Sequence, residues 1–205
     1  MLEVINLTCV RGDRRLFKNL SFSIAPGEFL ELRGSNGVGK TSLLRILCGL
    51  ATPTAGEVRW KGTKIRSLGE KYLGSIAYVA HQNGVKDELT AIENLLVSER
   101  IGGNSLSRSE AEATLERVDL AKQQNLLTRL LSAGQRRRLA IARILASRAK
   151  LWIMDEILAS LDDAGISLTR EIIIRHCEEG GLAILATHQN IDLNARVVRR
   201  LDLTT

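Results

Sequence analysis

The segment from Gly34 to Thr41 has the residue types and spacing of a phosphate-binding loop. It fits the pattern Gly-x-x-x-x-Gly-Lys-[Ser/Thr], with Lys40 before the final hydroxyl. Glycines let backbone N–H groups turn toward phosphate oxygens, the lysine neutralises terminal phosphates, and the hydroxyl is a ligand for Mg²⁺. The chemistry indicated is binding of a nucleoside triphosphate with Mg²⁺. The predicted contact residues are Gly34, Ser35, Asn36, Gly37, Val38, Gly39, Lys40, Thr41 and Ser42.

A pair of adjacent carboxylates, Asp155 and Glu156, follows the apolar segment from Leu151 to Met154. Parallel strands present ligand-binding groups at their carboxyl ends, so both acids are expected near the phosphates. Because side chains alternate along a strand, we expect Asp155 to face Mg²⁺ through its water shell and Glu156 to face the γ-phosphate and the attacking water. Glu156 is then the predicted general base for hydrolysis.

The elements that position the loop can be predicted from hydrophobic patterning. Residues Glu28 to Leu32 alternate as a half-buried strand, and Thr41 to Leu50 has apolar residues at helical spacing. Leu2 to Leu7 and Leu20 to Ile24 also have the pattern of strands, and Pro26-Gly27 has that of a turn. These segments together predict a small antiparallel sheet that leads into the phosphate loop.

Helix signals dominate the middle of the chain, from about residue 83 to residue 149. Thr90 with Glu93 and Ser107 with Glu110 match the capping box, in which a hydroxyl and a carboxylate satisfy two backbone donors. Strand and helix patterns alternate again from Leu151 onward. The predicted fold class is α/β, with a parallel-sheet core, an N-terminal antiparallel β subdomain and an inserted helical subdomain.

Composition supports a single domain spanning residues 1–205. A chain of 205 residues with 44% hydrophobic content can bury one substantial core but not two ordinary domains. The longest apolar runs fall far short of the roughly 20 residues that cross a bilayer as a helix, so no direct membrane span is expected. The net charge of +6 occurs with only 3% aromatic residues. We therefore expect no nucleic-acid partner.

Further motifs resemble those of ATP-binding cassette ATPases, which are P-loop NTPases with a RecA-like parallel sheet. The segment Leu131-Ser132-Ala133-Gly134-Gln135 resembles the Leu-Ser-Gly-Gly-Gln signature of this family. Gln82 follows a predicted strand as the Q-loop glutamine does, and His188 follows the last apolar segment as the switch histidine does. Ala159 to Asp162 resembles the D-loop. The motifs occur in the family's order over essentially the whole chain.

The resemblance implies that ATP is the nucleotide and assigns roles to particular residues. Gln82 would join Thr41 and Asp155 around Mg²⁺ and sense the γ-phosphate. His188 would hold the γ-phosphate and the attacking water, so that Glu156, His188 and Gln82 form the catalytic set.

The resemblance also implies that the signature acts on ATP bound by a second chain. Ser132, Ala133, Gly134 and Gln135 would contact the γ-phosphate across the interface of a head-to-tail homodimer, with Asp162 of the D-loop beside them.

Several positions depart from the family pattern. Arg11 stands where the family has an aromatic residue that stacks on adenine, so it is expected either to stack on the base or to be an exposed arginine in a turn. The methyl group of Ala133 requires a negative φ. Ile157 and Leu158 replace the usual residues after the catalytic acid, which predicts a less rigid turn.

A basic run and a docking segment complete the expectations for the helical region. Arg136-Arg137-Arg138 is expected to form a solvated or inter-subunit helix face rather than a nucleic-acid patch. In this family the segment from Asn83 to Glu99 docks membrane partners. Changing apolar residues there, such as Leu95 or Leu96, is expected to uncouple transport from ATPase activity.

Particular segments resemble the ATP-binding subunits of bacterial cytochrome c maturation systems. The similarity is carried by the phosphate loop, by His81 to Leu95, and by the signature with its alanine. It implies two types of integral membrane permease subunit, a peripheral location on the cytoplasmic face of the inner membrane, and a role in haem export or in release of haem from its carrier. The alternatives are another small bacterial exporter, a regulatory cassette with little turnover, or a cassette acting on DNA or ribosomes.

Overall fold

The structure, a computed structural model, describes residues 1–188 and 198–203. Two compact units are formed, the first by Met1–Tyr78, Lys150–Glu156 and Ile173–Thr205, and the second by Val79–Ala149 and Ile157–Ile172. Within the described part of the chain, each helix is too short or too polar to span a membrane.

Among the residues that the structure describes, nine strands and three short helices lie wholly or mainly in the first unit. In chain order they are β1 (Leu2–Arg11), β2 (Arg14–Ile24), β3 (Phe29–Arg33), α1 (Lys40–Leu47), β4 (Ala55–Trp60), β5 (Thr63–Lys64), α2 (Ile65–Leu68), α3 (Glu70–Leu73), β6 (Ile76–Val79), β7 (Leu151–Asp155), β8 (Leu182–Ala186) and β9 (Val198–Asp202). The second unit contains α4 (Ala91–Ile101), α5 (Arg108–Arg117), α6 (Ala133–Ala146) and two 3₁₀ turns, and α7 (Asp163–Glu178) begins in it.

The strands form two sheets, and the strand before the phosphate loop belongs to the parallel one. The antiparallel sheet has the order β2-β1-β4-β5, and the other has the order β6-β7-β8-β3-β9. Parallel pairing joins β7 to β8 and joins β3 to both β8 and β9. The predicted antiparallel sheet therefore exists, but assigning Glu28 to Leu32 to it was wrong. This strand lies inside the parallel sheet, where ligands gather at carboxyl ends.

The expectation that this strand is half-buried was also wrong, because β3 is covered on both faces. Glu31, at an apparently outward position, has no exposed surface. Its carboxylate oxygens lie 2.9 Å from an Arg33 Nη2 and 3.1 Å from the Nε of Arg200 on β9. Burying a carboxylate is tolerated when cations and hydrogen bonds compensate for the lost hydration.

The core of the first unit consists of aliphatic residues from both sheets and from α1. Leu7, Leu32, Leu43, Leu44 and Ile184 are fully or almost fully buried in one cluster. α1 presents one apolar face to this cluster and carries no acidic residue in its first turn. The helix that starts at the phosphate loop is therefore fixed in place by packing along its length.

The second unit is helical, as the capping signals predict. Thr90 caps α4 and Ser107 caps α5, each with a reciprocal capping box from Glu93 or Glu110, which confirms both predictions. Ser132 and Gln135 form a further capping box at the start of α6. Its core includes Leu95, Leu115 and Leu139, which have no exposed surface.

Leu95 is therefore a core residue and offers no surface for the docking that is predicted for this segment. We expect Leu95→Ala to lower the free energy of unfolding by about 2–5 kcal/mol, because it leaves a cavity among α4, α5 and α6. Ile101, on the same helix but 79% exposed, is the matched control, and Ile101→Ala should change stability by less than about 0.5 kcal/mol. Denaturant unfolding measures both, and equal losses would contradict this placement.

Candidate nucleotide-binding site

The phosphate loop joins the carboxyl end of β3 to the first residue of α1. Gly34, Gly37 and Gly39 have backbone φ values of 145°, 77° and 119°, which residues other than glycine rarely adopt. At Gly34 a Cβ atom would lie 2.8 Å from the carbonyl oxygen of Leu203, and at Gly39 it would lie 3.1 Å from the Cβ of Leu16. Backbone conformation favours glycine at all three positions, and close packing requires it also at Gly34 and Gly39.

Lys40 is the first residue of α1 and is folded back into the loop. Its Nζ donates hydrogen bonds to the carbonyl oxygens of Gly34 at 2.7 Å and Ser35 at 3.3 Å, and the residue is only 7% exposed. The ammonium group is thus held beside the helix N-terminus, whose backbone donors and dipole favour anions. This combination of charge and geometry fits a phosphate group.

Thr41 and Asp155 meet where the phosphate loop faces the end of β7. The Thr41 hydroxyl donates a hydrogen bond to the Asp155 Oδ2 at 2.8 Å, although the two residues are 114 positions apart. Asp155 is 2% exposed. A hydroxyl and a carboxylate oxygen side by side are the hard donors that Mg²⁺ prefers, so these residues fit that ion.

Glu156 contacts His188, and strand alternation does not set the direction of its side chain. β7 ends at Asp155, and Glu156 has a φ of 53°, which turns its side chain out of the strand. Its N–H donates to the carbonyl oxygen of Ala186 at 2.8 Å, and its Oε2 lies 2.9 Å from the Nδ1 of His188. A non-glycine residue in this conformation is strained, and such strain is common at functional sites.

Arg14 is a candidate site residue that the sequence did not reveal. β1 and β2 are joined by a tight turn in which Arg11 pairs with Arg14 across Gly12-Asp13, so both arginines lie at the tip of one hairpin. The Nη1 of Arg14 lies 3.9 Å from the position of a Cβ on Gly37. The signal in the sequence was the Gly-Asp pair, which favours a hairpin turn and brings Arg14 back beside Arg11. Arg11 itself is exposed.

The remaining predicted site residues belong to the second unit. Gln82 is exposed and follows β6. Ser132 caps α6, and Ala133 is its first residue with helical backbone, so its methyl group is accommodated as expected. A Cβ at Gly134 would lie 3.0 Å from the carbonyl oxygen of Ser160, so this glycine allows α6 to approach the D-loop segment.

Three signature residues, Ser132, Gly134 and Gln135, line an open cavity of about 760 Å³ within the second unit. Arg138 crosses this region, with its guanidinium 2.7 Å from the Asp119 carboxylate and 3.0 Å from that of Asp162. A hydrogen bond from the Gly165 N–H and the contact with Arg138 lower the pKa of Asp162. The cavity wall also includes Glu116, Lys122 and Ser160.

The expectation of a solvated or inter-subunit face was wrong for Arg137, which is buried within the unit, and the solvated alternative does not describe Arg138 either. Arg137 is 4% exposed, and the side chain of Arg138 is 14% exposed. Both use their guanidinium groups for contacts within the unit. Ile157 and Leu158 are also buried, at 0% and 1% exposure, so they anchor the chain after Glu156 through apolar packing.

This geometry, with a phosphate loop between β3 and α1, defines a nucleotide-binding domain. Residues 17–159 match the model of the ABC transporter family, so the chain belongs to that family of ATP-binding cassettes.

A particular relative is the cytochrome c biogenesis ATP-binding export protein CcmA of Nitrosospira multiformis. It is 48% identical over 99% of this chain and 98% of its own length. Among solved structures, an ABC transporter ATP-binding protein from Pyrococcus furiosus has a TM-score of 0.84 at 24% identity, covering 98% of this chain and 96% of its own. The cassette MJ0796, solved as a dimer in a post-hydrolysis state with ADP and Pi, has a TM-score of 0.82 at 27% identity, covering 100% and 97%.

Proposed function

We propose that the chain is the ATP-hydrolysing subunit of an ABC transporter complex in c-type cytochrome biogenesis, where hydrolysis drives haem export or release of haem from its carrier. The main support for the proposed ATPase activity is the contact of 2.9 Å between Glu156 and His188, which lies in the same unit as the hydrogen bond between Thr41 and Asp155. The biological role rests on the export protein that is 48% identical to this chain.

In the proposed mechanism the phosphate loop binds the triphosphate through its backbone N–H groups. Lys40 moves its ammonium contacts from loop carbonyls to the β- and γ-phosphates, and Arg14 adds a second cation above Gly37. Thr41, Asp155 and Gln82 would hold Mg²⁺, which would neutralise the charge that develops on the phosphates.

Glu156 is the group that accepts a proton in the proposed hydrolysis. Water attacks the γ-phosphorus, the bond from that phosphorus to the bridging oxygen breaks, and the water proton passes to the Glu156 carboxylate. ADP and phosphate leave. His188 donates to the carboxylate through Nδ1, and when its other ring nitrogen also carries a proton it can donate to the γ-phosphate.

A second copy of the chain would complete the site. Ser132 and Gly134 lie at an exposed helix N-terminus in an open cavity, an arrangement suited to a phosphate carried by another chain. MJ0796 was solved as a dimer, and we extend that arrangement to a head-to-tail homodimer here.

We expect ATPase activity per chain to rise with protein concentration, because a single chain lacks one side of each site. The measurement is steady-state hydrolysis of the wild type across the range in which dimers form, checked by sedimentation. Ser132→Asp should abolish the rise by repelling the γ-phosphate, whereas Ser109→Asp, on the exposed surface of α5, should not. Activity per chain that stays constant across that range would contradict the shared site.

The complex is proposed to include two types of integral membrane permease subunit at the cytoplasmic face of the inner membrane. Leu95 is unavailable for that contact, whereas Val97 and Ile101 on the same helix are 38% and 79% exposed. Exposed apolar residues near a predicted docking segment fit a partner helix.

Cells provide the test of the biological role. A strain whose own copy is replaced by the Glu156→Gln variant, at normal protein level, should lack covalently attached haem on its c-type cytochromes. Normal haem attachment in that strain would contradict the role in cytochrome biogenesis, whatever the ATPase activity of the purified chain.

A further inference from the structure

The backbone that follows Gln82 is bound by one arginine of α6, Arg143. Its Nη1 donates to the carbonyl oxygens of Asn83 at 3.3 Å and Gly84 at 2.5 Å, while its Nε donates to the Ser98 Oγ at 3.2 Å. Hydrogen bonds from a charged donor are stronger than those from a neutral one. Arg143 thereby connects α6, the loop after Gln82, and α4.

The backbone before Gln82 is bound by a second arginine of the same helix. Arg137 is 4% exposed, and its Nη2 donates to the carbonyl oxygen of His81 at 3.3 Å. Its Nε donates to the carbonyl oxygen of Ala159, also at 3.3 Å. Gln82 therefore lies between two peptide segments that are each tied to α6, and the helix also contacts the start of the D-loop.

A side chain at Gly84 would crowd Arg143. A Cβ there would lie 3.1 Å from the Arg143 Nη1, and Gly84 has a φ of 63°. Burial lowers the pKa of Arg143, while the buried carboxylate of Glu99 opposes that shift. A guanidinium is placed in this environment only if its hydrogen bonds compensate for lost hydration.

Asn94 of α4 holds the next part of the same loop. Its side-chain amide accepts from the Lys86 N–H at 2.8 Å and donates to the Lys86 carbonyl oxygen at 3.0 Å and the Thr128 Oγ1 at 2.9 Å. Asn94 is 4% exposed. The segment after Gln82 is thus fixed at successive points to both helices and has little freedom to move independently of them.

We propose that Arg143, assisted by Arg137, is a positioning residue that ties the Gln82 loop to α6, so that Gln82 and the signature at the start of α6 move as one body. The inference deepens the proposed function and rests on the role of Gln82 in hydrolysis. A displacement of α4 or α6 by a partner would then carry Gln82 with it.

The first arm of the experiment measures how firmly Arg143 holds the Gln82 loop, in the absence of nucleotide and of hydrolysis. The Lys86 N–H donates to the Asn94 Oδ1 at 2.8 Å, and its hydrogen exchange reports opening of the segment 83–86. It should be about tenfold or more faster in Arg143→Met than in the wild type, because loss of the anchors at Asn83 and Gly84 lets the segment move away from α4 and α6. Arg100→Met, which removes the same charge from an exposed position on α4, is the control and should exchange normally. Gly84→Ala perturbs the same contact from the loop and should also speed exchange.

The second arm is a double-mutant cycle on kcat for ATP hydrolysis with Gln82→Ala. If Arg143 acts through Gln82, Arg143→Met should lower kcat about tenfold in the wild-type background and less than about twofold in the Gln82→Ala background. Arg143→Lys keeps the charge and one donor, so it should recover part of the lost rate. The thermal midpoint of each variant shows whether it is folded. If Arg143→Met is not folded, Arg143→Lys replaces it in both measurements.

Unchanged exchange in Arg143→Met, or equal losses of kcat in both backgrounds, would overturn the proposal. The two failures are distinguishable. If the wild type hydrolyses ATP but Arg143→Met exchanges at the wild-type rate, only the tie is refuted. If Arg143→Met exchanges faster but the wild type does not hydrolyse ATP, the proposed ATPase function is refuted and the tie remains supported.

Discussion

Glu156→Gln is expected to lower kcat for ATP hydrolysis by about 10²- to 10⁴-fold with little change in ATP affinity. The amide has nearly the size of the carboxylate and can still bond the Nδ1 of His188, which lies 2.9 Å from Glu156 Oε2. It cannot accept the proton of the attacking water. Because binding and hydrolysis depend on different groups, the variant should hold ATP without turning it over.

Single-turnover hydrolysis and equilibrium binding of ATP measure the two properties separately. Glu178→Gln, at an exposed position of α7, makes the same chemical change away from the site and should retain full activity. His188→Ala is expected to lower kcat as well, since it removes the group that orients the Glu156 carboxylate. Turnover within about threefold of the wild type in Glu156→Gln would exclude a general-base role.

The second large effect is expected from Lys40→Ala, which should weaken ATP binding by about 10- to 100-fold. That range corresponds to the loss of one charge-assisted hydrogen bond, worth about 1.5–3 kcal/mol. Lys40 is only 7% exposed and is already oriented by the Gly34 carbonyl oxygen at 2.7 Å. The ammonium therefore needs little reorganisation to meet a phosphate.

Fluorescent nucleotide titration or calorimetry measures this loss, and the free energy of unfolding must be followed in parallel because Lys40 also bonds the loop. Lys18→Ala, at an exposed position of β2, removes the same charge and should leave affinity unchanged. An ATP affinity of Lys40→Ala equal to that of the wild type would contradict phosphate binding by this loop.

Local features of the fold could be predicted from the sequence because their causes are local. A capping box is satisfied by residues three positions apart, so Thr90 with Glu93 and Ser107 with Glu110 mark the starts of α4 and α5 correctly. The phosphate-loop pattern likewise specifies a short stretch of backbone, and β3 and α1 flank it as expected.

Pairings between distant segments could not be predicted in the same way. Glu31 looks outward by alternation, and its burial depends on Arg200, which is 169 positions away. A leucine in the sequence can be either a core residue or an exposed contact residue. Leu95 lies in the core because of how α4 packs against α5 and α6.

The sequence by itself determined the phosphate loop, the order of the motifs and the α/β class, because glycine spacing, hydroxyl caps and hydrophobic period act over a few residues. Only the tertiary structure decided that Thr41 bonds Asp155, that Glu156 turns toward His188, and that Arg143 holds the Gln82 loop. Each of these contacts joins side chains or carbonyls that are far apart along the chain. Burial and pairing in three dimensions, rather than residue type, give such groups their roles.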